Sequence, residues 1–187
     1  MLLCLFVITL VASTLLGGVY VLTYESIEAA KRDEVNAAIG AVAPEFDNIP
    51  SEEKVMVEVE GKSVTVYPCC KAGIPIGYAV EATTSKGFSG PIVLMVGFLP
   101  NGSIYNIVVV SHSETPGLGD KIDRKKSDFS LQFMGKCPDD FQLSVKKDGG
   151  DVDAITASTI SSRAFCDAVE LAYKAFLSVK PQQDLYE

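Results

Sequence analysis

The residues best placed to do chemistry lie near the C-terminus, in Asp153-Ala-Ile-Thr-Ala-Ser-Thr-Ile-Ser-Ser-Arg163. Asp153, Thr156, Ser158, Thr159, Ser161 and Ser162 crowd into this stretch, immediately before apolar residues at 160, 164, 168, 171, 172, 175 and 179. That spacing is one face of a 3.6-residue helix, so the hydroxyl cluster sits where a helix begins. Two uses follow. Ser and Thr side chains can cap the free N–H groups of the first turn. The same N–H groups, with the helix dipole, can instead seat a phosphate.

Two glycine-rich loops offer a second set of polar groups. Ser111-His-Ser-Glu-Thr-Pro-Gly-Leu-Gly-Asp120 follows an apolar run, and its glycines let main-chain N–H groups come close to a ligand while Glu114 and Thr115 supply polar contacts. Lys86-Gly-Phe-Ser-Gly-Pro-Ile92 is a tight, exposed turn. His112 is the sole histidine, and no Cys-x-x-Cys pair occurs among Cys4, Cys69, Cys70, Cys137 and Cys166. Zinc, iron–sulfur and c-type haem readings therefore have no spacing to support them. No serine is singled out as a nucleophile. A bridge from Cys69 or Cys70 to Cys137 is left open.

Three of these motifs, in this order along the chain, resemble one family. It is the FMN-binding domain shared by the G subunit of the Rnf electron-transport complex and the C subunit of the sodium-pumping NADH:quinone oxidoreductase. The pattern Asp-x-x-Ser/Thr-Gly-Ala-Thr is matched by Asp153, Thr156, Ala157, Ser158 and Thr159, with Ala157 where Gly is usual and Ser158 where Ala is usual. The resemblance implies FMN bonded covalently through its phosphate to Thr159, with Ser158 as a second candidate hydroxyl. It also implies that Glu114, Thr115, Pro116, Gly117 and Leu118 lie against the flavin, with Gly119 and Lys121 near its edge. Ser111, Ser89 and Gly90 complete the expected contacts from the two loops. A cation at Lys121 would favour a reduced, anionic flavin.

The elements that must position these residues are legible in outline. Leu2 to Thr23 carries no charge, and its roughly 31 Å of helix would cross a hydrocarbon core. An uncleaved span is preferred to a signal peptide because no basic lead precedes it. Glu25 to Val42 reads as a helix leaving the membrane, stopped by Pro44. Valines alternating over 55–59 and 64–66 across Glu60-Gly61-Lys62 read as a hairpin. Further strands are expected at 76–84, 92–99 and 104–110, the last two joined at Asn101-Gly102, and another at Leu143 and Val145. The sum is an α+β fold: a mainly antiparallel sheet with flanking helices, preceded by one N-terminal transmembrane helix. We expect an anchor over 1–24, a membrane-proximal helix and linker over 25–50, and an FMN-binding domain over 51–187.

At 187 residues and a net charge of −8 the chain is unsuited to nucleic acid, which wants a basic face. The resemblance implies an electron relay in a membrane complex that couples ferredoxin and NAD to ion transport. The other members of that Rnf-type complex, and a flavin transferase that loads the threonine from FAD with Mg²⁺, would be its partners. The domain would face the extracytoplasmic side of the inner membrane. The shortness of the domain favours the Rnf protein over its counterpart in the sodium-pumping NADH:quinone oxidoreductase. A flavin-free binding domain of the same fold, and a flavoprotein reductase with its own substrate, are the competing classes.

Overall fold

The computed structural model describes residues 2–180. The chain divides into two compact units at Val35/Asn36. A single unbroken helix, α1 (Leu2–Val42), runs through the two segments expected separately at 2–23 and 25–42. No proline interrupts it before Pro44, and Gly17 and Gly18 each cost only about 1 kcal/mol in a helix interior. Among the described residues it is the one helix long and apolar enough to cross a membrane. The Ser and Thr hydroxyls of its apolar stretch bond within the helix, as a hydrocarbon setting would require: Thr14 Oγ1 donates to Leu10 O (2.7 Å) and Thr23 Oγ1 to Val19 O (2.9 Å).

The second unit is built on a five-stranded antiparallel sheet whose strands lie in sequence order. They are β1 (Val55–Val59), β2 (Lys62–Lys71), β3 (Ile74–Thr84), β4 (Ile92–Phe98) and β5 (Ile104–His112). Two-residue turns at Glu60-Gly61 and Ala72-Gly73 close the first two hairpins, all four residues having φ between 52° and 77°. Such turns match the right-handed twist of the strands they join.

The C-terminal helix α2 (Thr159–Val179) crosses one face of the sheet. Val66, Val80, Leu94, Val96 and Phe98 meet Phe165, Val169, Ala172 and Phe176 there, all with at most 1% of their surface exposed. Phe98 and Phe176 stack at 5.0 Å, and Phe129 and Phe133 pack on Phe165 at 5.2 and 5.1 Å. The opposite face receives the last turns of α1: Ala38, Ile39 and Val42 are buried, and Asn106 Nδ2 donates to Ala41 O at 2.8 Å, satisfying a carbonyl at the helix end.

The segment between β5 and α2 is mostly turns, with 3-10 pieces at Gly119–Ile122, Phe129–Phe133 and Lys146–Asp148. The strand expected at Leu143 and Val145 does not form. Val145 makes one isolated parallel bridge to Val152 instead. The chain returns through Asp148-Gly-Gly-Asp151, far too short a crossover to extend a parallel ladder. All five cysteines are free thiols, so Cys137 has no bridge to Cys69 or Cys70.

Candidate functional site

Strand ends β3 and β5 and the start of α2 converge on one cleft of about 340 Å³. Its walls are Phe88, Glu114, Thr115, Leu118, Gly119 and the run Ala157 to Ser161. The sheet delivers the first two loops because β4 hydrogen-bonds both β3 and β5, bringing residues 85–91 and 113–119 out at the same end. Lys86 anchors the first loop at its base. Its backbone N–H donates to Thr84 Oγ1 (3.2 Å), which donates to Asp167 Oδ2 of α2 (2.7 Å), while its ammonium pairs with the other Asp167 oxygen. Burial pushes the Asp167 carboxyl up, but the hydrogen bonds from Lys86 and Thr84 together outweigh it and hold the group below the usual carboxylate range.

The second loop turns through Thr115-Pro116-Gly117-Leu118, closed by the Leu118 N–H donating to Thr115 O at 3.2 Å. Proline at the second position and Gly117 at φ 80° are what a type II turn requires. Pro116 and Gly117 are consequently exposed at the turn tip, while Thr115 and Leu118 line the cleft. Ser89 Oγ lies 3.3 Å from Thr115 Oγ1, linking the two loops, and a Cβ on Gly90 would lie 3.2 Å from Ser113 Cβ.

Glu114 is the point on which all three segments close. It is only 4% exposed. Its Oε2 accepts from Ser161 Oγ (2.7 Å), its Oε1 accepts from the Ser89 N–H (3.3 Å), and its own N–H donates to His112 Nδ1 (3.1 Å). A Cβ on Gly87 would lie 2.7 Å from Oε1, and one on Gly119 would lie 2.4 Å from Oε2. Gly119 is therefore a steric requirement of this carboxyl group, while at Gly87 the Gly90 backbone oxygen would be closer still, at 2.1 Å.

Thr159 is the first residue of α2, and Ser158 before it makes no side-chain hydrogen bond to the first turn. The capping role open to these hydroxyls is thus not taken by Ser158. Ser162 works inward instead, donating from Oγ to Ser158 O and accepting from the Ile155 N–H, both at 3.0 Å. Ser158 is 6% exposed, whereas Thr159 is half-buried at the cleft wall. Ala157 has φ 62°, in the left-handed region where glycine alone is free of strain. Ala157→Gly is expected to raise stability by about 1 kcal/mol. Thermal unfolding of the full chain checks this: a melting temperature about 3 °C higher is the expected result, and a fall would contradict the strain.

Other expected site residues lie elsewhere. Asp153, Thr156 and Lys121 line a neighbouring groove of about 500 Å³. There Asp153 pairs with Lys146 at 2.8 Å. Ser111 is exposed on β5 opposite Val93 and does not line the cleft. Conversely, Phe88, Ile160 and Ser161 line the cleft although no flavin contact was expected of them, Phe88 lying in the first loop motif and Ser161 in the hydroxyl cluster. Phe88 and Ile160 are large apolar side chains left 67% and 47% exposed, which is the signal a structure adds. At the outer face of the first helical turn Arg163 forms a two-pronged pair with Asp148 (2.6 and 2.7 Å) and holds that carboxyl below its ordinary range.

The cleft suits a flat, largely apolar ring carrying a phosphate: Phe88, Leu118 and Ile160 are its apolar surface, and the uncapped start of α2 its anion seat. The FMN-binding domain family matches residues 87–174, which span all three cleft segments. The chain is similar to the G subunit of the ion-translocating oxidoreductase complex of Shewanella baltica, with 35% identity over 173 residues, covering 87% of this chain and 82% of that protein. The protein of the same name from Shewanella oneidensis is 34% identical, with 80% and 76% covered. The one from Salmonella typhi is 46% identical over a shorter stretch, 57% of this chain and 53% of its own length. With likeness on this scale running well beyond the cleft segments, the chain belongs to the G-subunit family of ion-translocating oxidoreductase complexes.

Proposed function

We propose that this chain is the membrane-anchored flavoprotein subunit of an Rnf-type ion-translocating oxidoreductase complex, passing electrons through FMN esterified to Thr159. The observation that carries this reading is the position of Thr159. It is half-buried at the first residue of an uncapped helix, on a cleft with apolar walls. The flavin would supply one- and two-electron chemistry, and the protein holds it and sets its surroundings. Thr159, Ser158, Glu114, Thr115, Leu118, Gly119 and Phe88 would hold it. Ser89, Gly90, Pro116 and Gly117 shape the loops behind them, and Ser111, Asp153, Thr156 and Lys121 would act from outside the cleft.

Loading is assigned to a separate flavin transferase using FAD and Mg²⁺. Thr159 Oγ1 would be the nucleophile toward the flavin-side phosphorus of FAD, with AMP as the leaving group and the hydroxyl proton released to solvent. The remaining phosphodiester charge would then lie at the start of α2, where the helix dipole favours it. Helix α1 serves as the anchor, with the domain on the extracytoplasmic side. A flavin-free reading would draw on Ala157 replacing the usual glycine, but Ala157 already holds the left-handed backbone that glycine would adopt there.

Intact mass of the full chain, produced with and without a flavin transferase, tests the proposal. The expected result is a gain equal to FMN less one water, seen only with the transferase. No gain, beside a control protein that is loaded, would overturn it.

A further inference from the structure

The cleft holds a single formally charged side chain, and it is an acid. Among Phe88, Glu114, Thr115, Leu118, Gly119 and the residues 157–161 there is no lysine, arginine or histidine. Among the described residues Glu114 takes part in none of the ion pairs. Both its oxygens accept, one from the Ser161 hydroxyl and one from the Ser89 N–H, the arrangement of a carboxylate held by neutral donors. Lys121, the cation expected at the flavin's edge, lines the neighbouring groove instead. The partial positive charge at the start of α2 is matched by the phosphodiester of the proposed ester.

The geometry points to Glu114 as the residue that lowers the reduction potential of the group bound in this cleft. The inference rests on the flavin reading above and deepens it. Uptake of one electron without a proton adds a full negative charge to the occupant of the cleft. The donor would be a neighbouring one-electron redox protein of the complex, or reduced viologen in a titration. A buried carboxylate at the same wall opposes that charge, in a setting where water screens it poorly. Glu114 thus does two things at once: it closes three segments into one site, and it keeps the site from favouring an anion on the ring. Its role is positioning and electrostatic, with no step in which it gains or loses a bond.

Two substitutions separate charge from support. Glu114→Gln keeps the shape and both contacts, because the amide oxygen accepts from Ser89 N–H and the amide nitrogen can donate to a rotated Ser161 hydroxyl. Ser161→Ala keeps the charge but removes a donor that spreads it. In the full chain loaded with FMN by the transferase, viologen-mediated titration should show the first-electron potential of Glu114→Gln raised by about 59 mV, a tenfold shift in the one-electron equilibrium. Ser161→Ala should leave the potential unchanged or lower it. Glu60→Gln, an acid paired with Lys174 at 2.7 Å and so about 22 Å along α2 from Thr159, should not move it.

Opposite or split shifts are the signature of charge, whereas mere loosening of the cleft would move both variants the same way. An unchanged or lowered potential in Glu114→Gln overturns the inference and leaves the flavin reading standing. Failure of a folded Glu114→Gln chain to take up flavin from the transferase overturns it too, since Glu114 would then be a holding group only. A wild-type chain that gains no flavin mass removes both.

Discussion

Thr159→Val is expected to abolish the FMN mass gain while leaving the fold in place. Valine reproduces the branched shape of threonine and removes only the hydroxyl, so the nucleophile is lost with little change in packing. Thr159 stands at the first helical position, where a β-branched residue meets no preceding turn. Substitutions at half-exposed positions of this kind shift stability by roughly 0.5 kcal/mol. The partner experiment is Ser158→Ala, which removes the neighbouring hydroxyl. Ser158 is 6% exposed whereas Thr159 is half-buried, so Thr159 is the more open of the two to an incoming phosphorus. Ser158→Ala should therefore load as wild type does. Intact mass and visible absorbance read both variants. Mass retained in Thr159→Val and lost in Ser158→Ala would move the ester to Ser158, and mass retained in both would place it elsewhere.

How much of this was legible beforehand depends on which physical signal each part carries. The sheet was legible because Val55, Val57, Val64 and Val66 alternate and Asn101-Gly102 marks a turn, and these are local properties of pairing and φ. The helix start at Thr159 was legible from periodicity. The turn segment from 113 to 158 was not, because its core contacts, Ile122, Phe129, Phe133, Val145 and Val152, come from 3-10 pieces and single bridges without a period. The cleft was half legible. Glu114, Thr115, Leu118, Gly119, Ser158 and Thr159 come together as the motifs suggested. Lys121 and Thr156 do not: Lys121 lies in the 3-10 piece after the second loop, Thr156 lies before the left-handed residue Ala157, and both line the neighbouring groove. Ser161 read as one more capping hydroxyl, since its partner Glu114 is 47 residues away in sequence. Distance along the chain hides such pairs.

The same blindness covers the position with the largest expected cost to stability. Gly97, within β4, looks like any glycine in a buried strand, where it weakens pairing and adds nothing to the core. In the structure a Cβ there would lie 1.6 Å from Val42 O and 2.6 Å from the carbonyl carbon, both backbone atoms at the end of α1. Neither can swing aside as a flexible side chain would. The helix end is also pinned by Ile39 and Val42, both fully buried, and by the Asn106 bond to Ala41 O. Gly97→Ala must therefore push the last turn of α1 off the sheet or break the β4 ladder beside it. Overpacking of a well-filled core costs about 1–3 kcal/mol, and contact with rigid backbone puts this case at the upper end. The full chain in detergent should melt about 9 °C lower, at about 3 °C per kcal/mol for a domain of this size. Gly77→Ala offers the graded comparison: its Cβ would meet the Pro44 ring at 3.1 Å and Phe98 O at 3.2 Å, contacts that a few tenths of an ångström relieve, so a smaller loss is expected. Equal melting temperatures for Gly97→Ala and wild type would mean that the end of α1 does not rest on the sheet at this point. A large loss would tie the seating of the domain's first helix to a single missing methyl group, on the face of the sheet opposite the one that α2 covers.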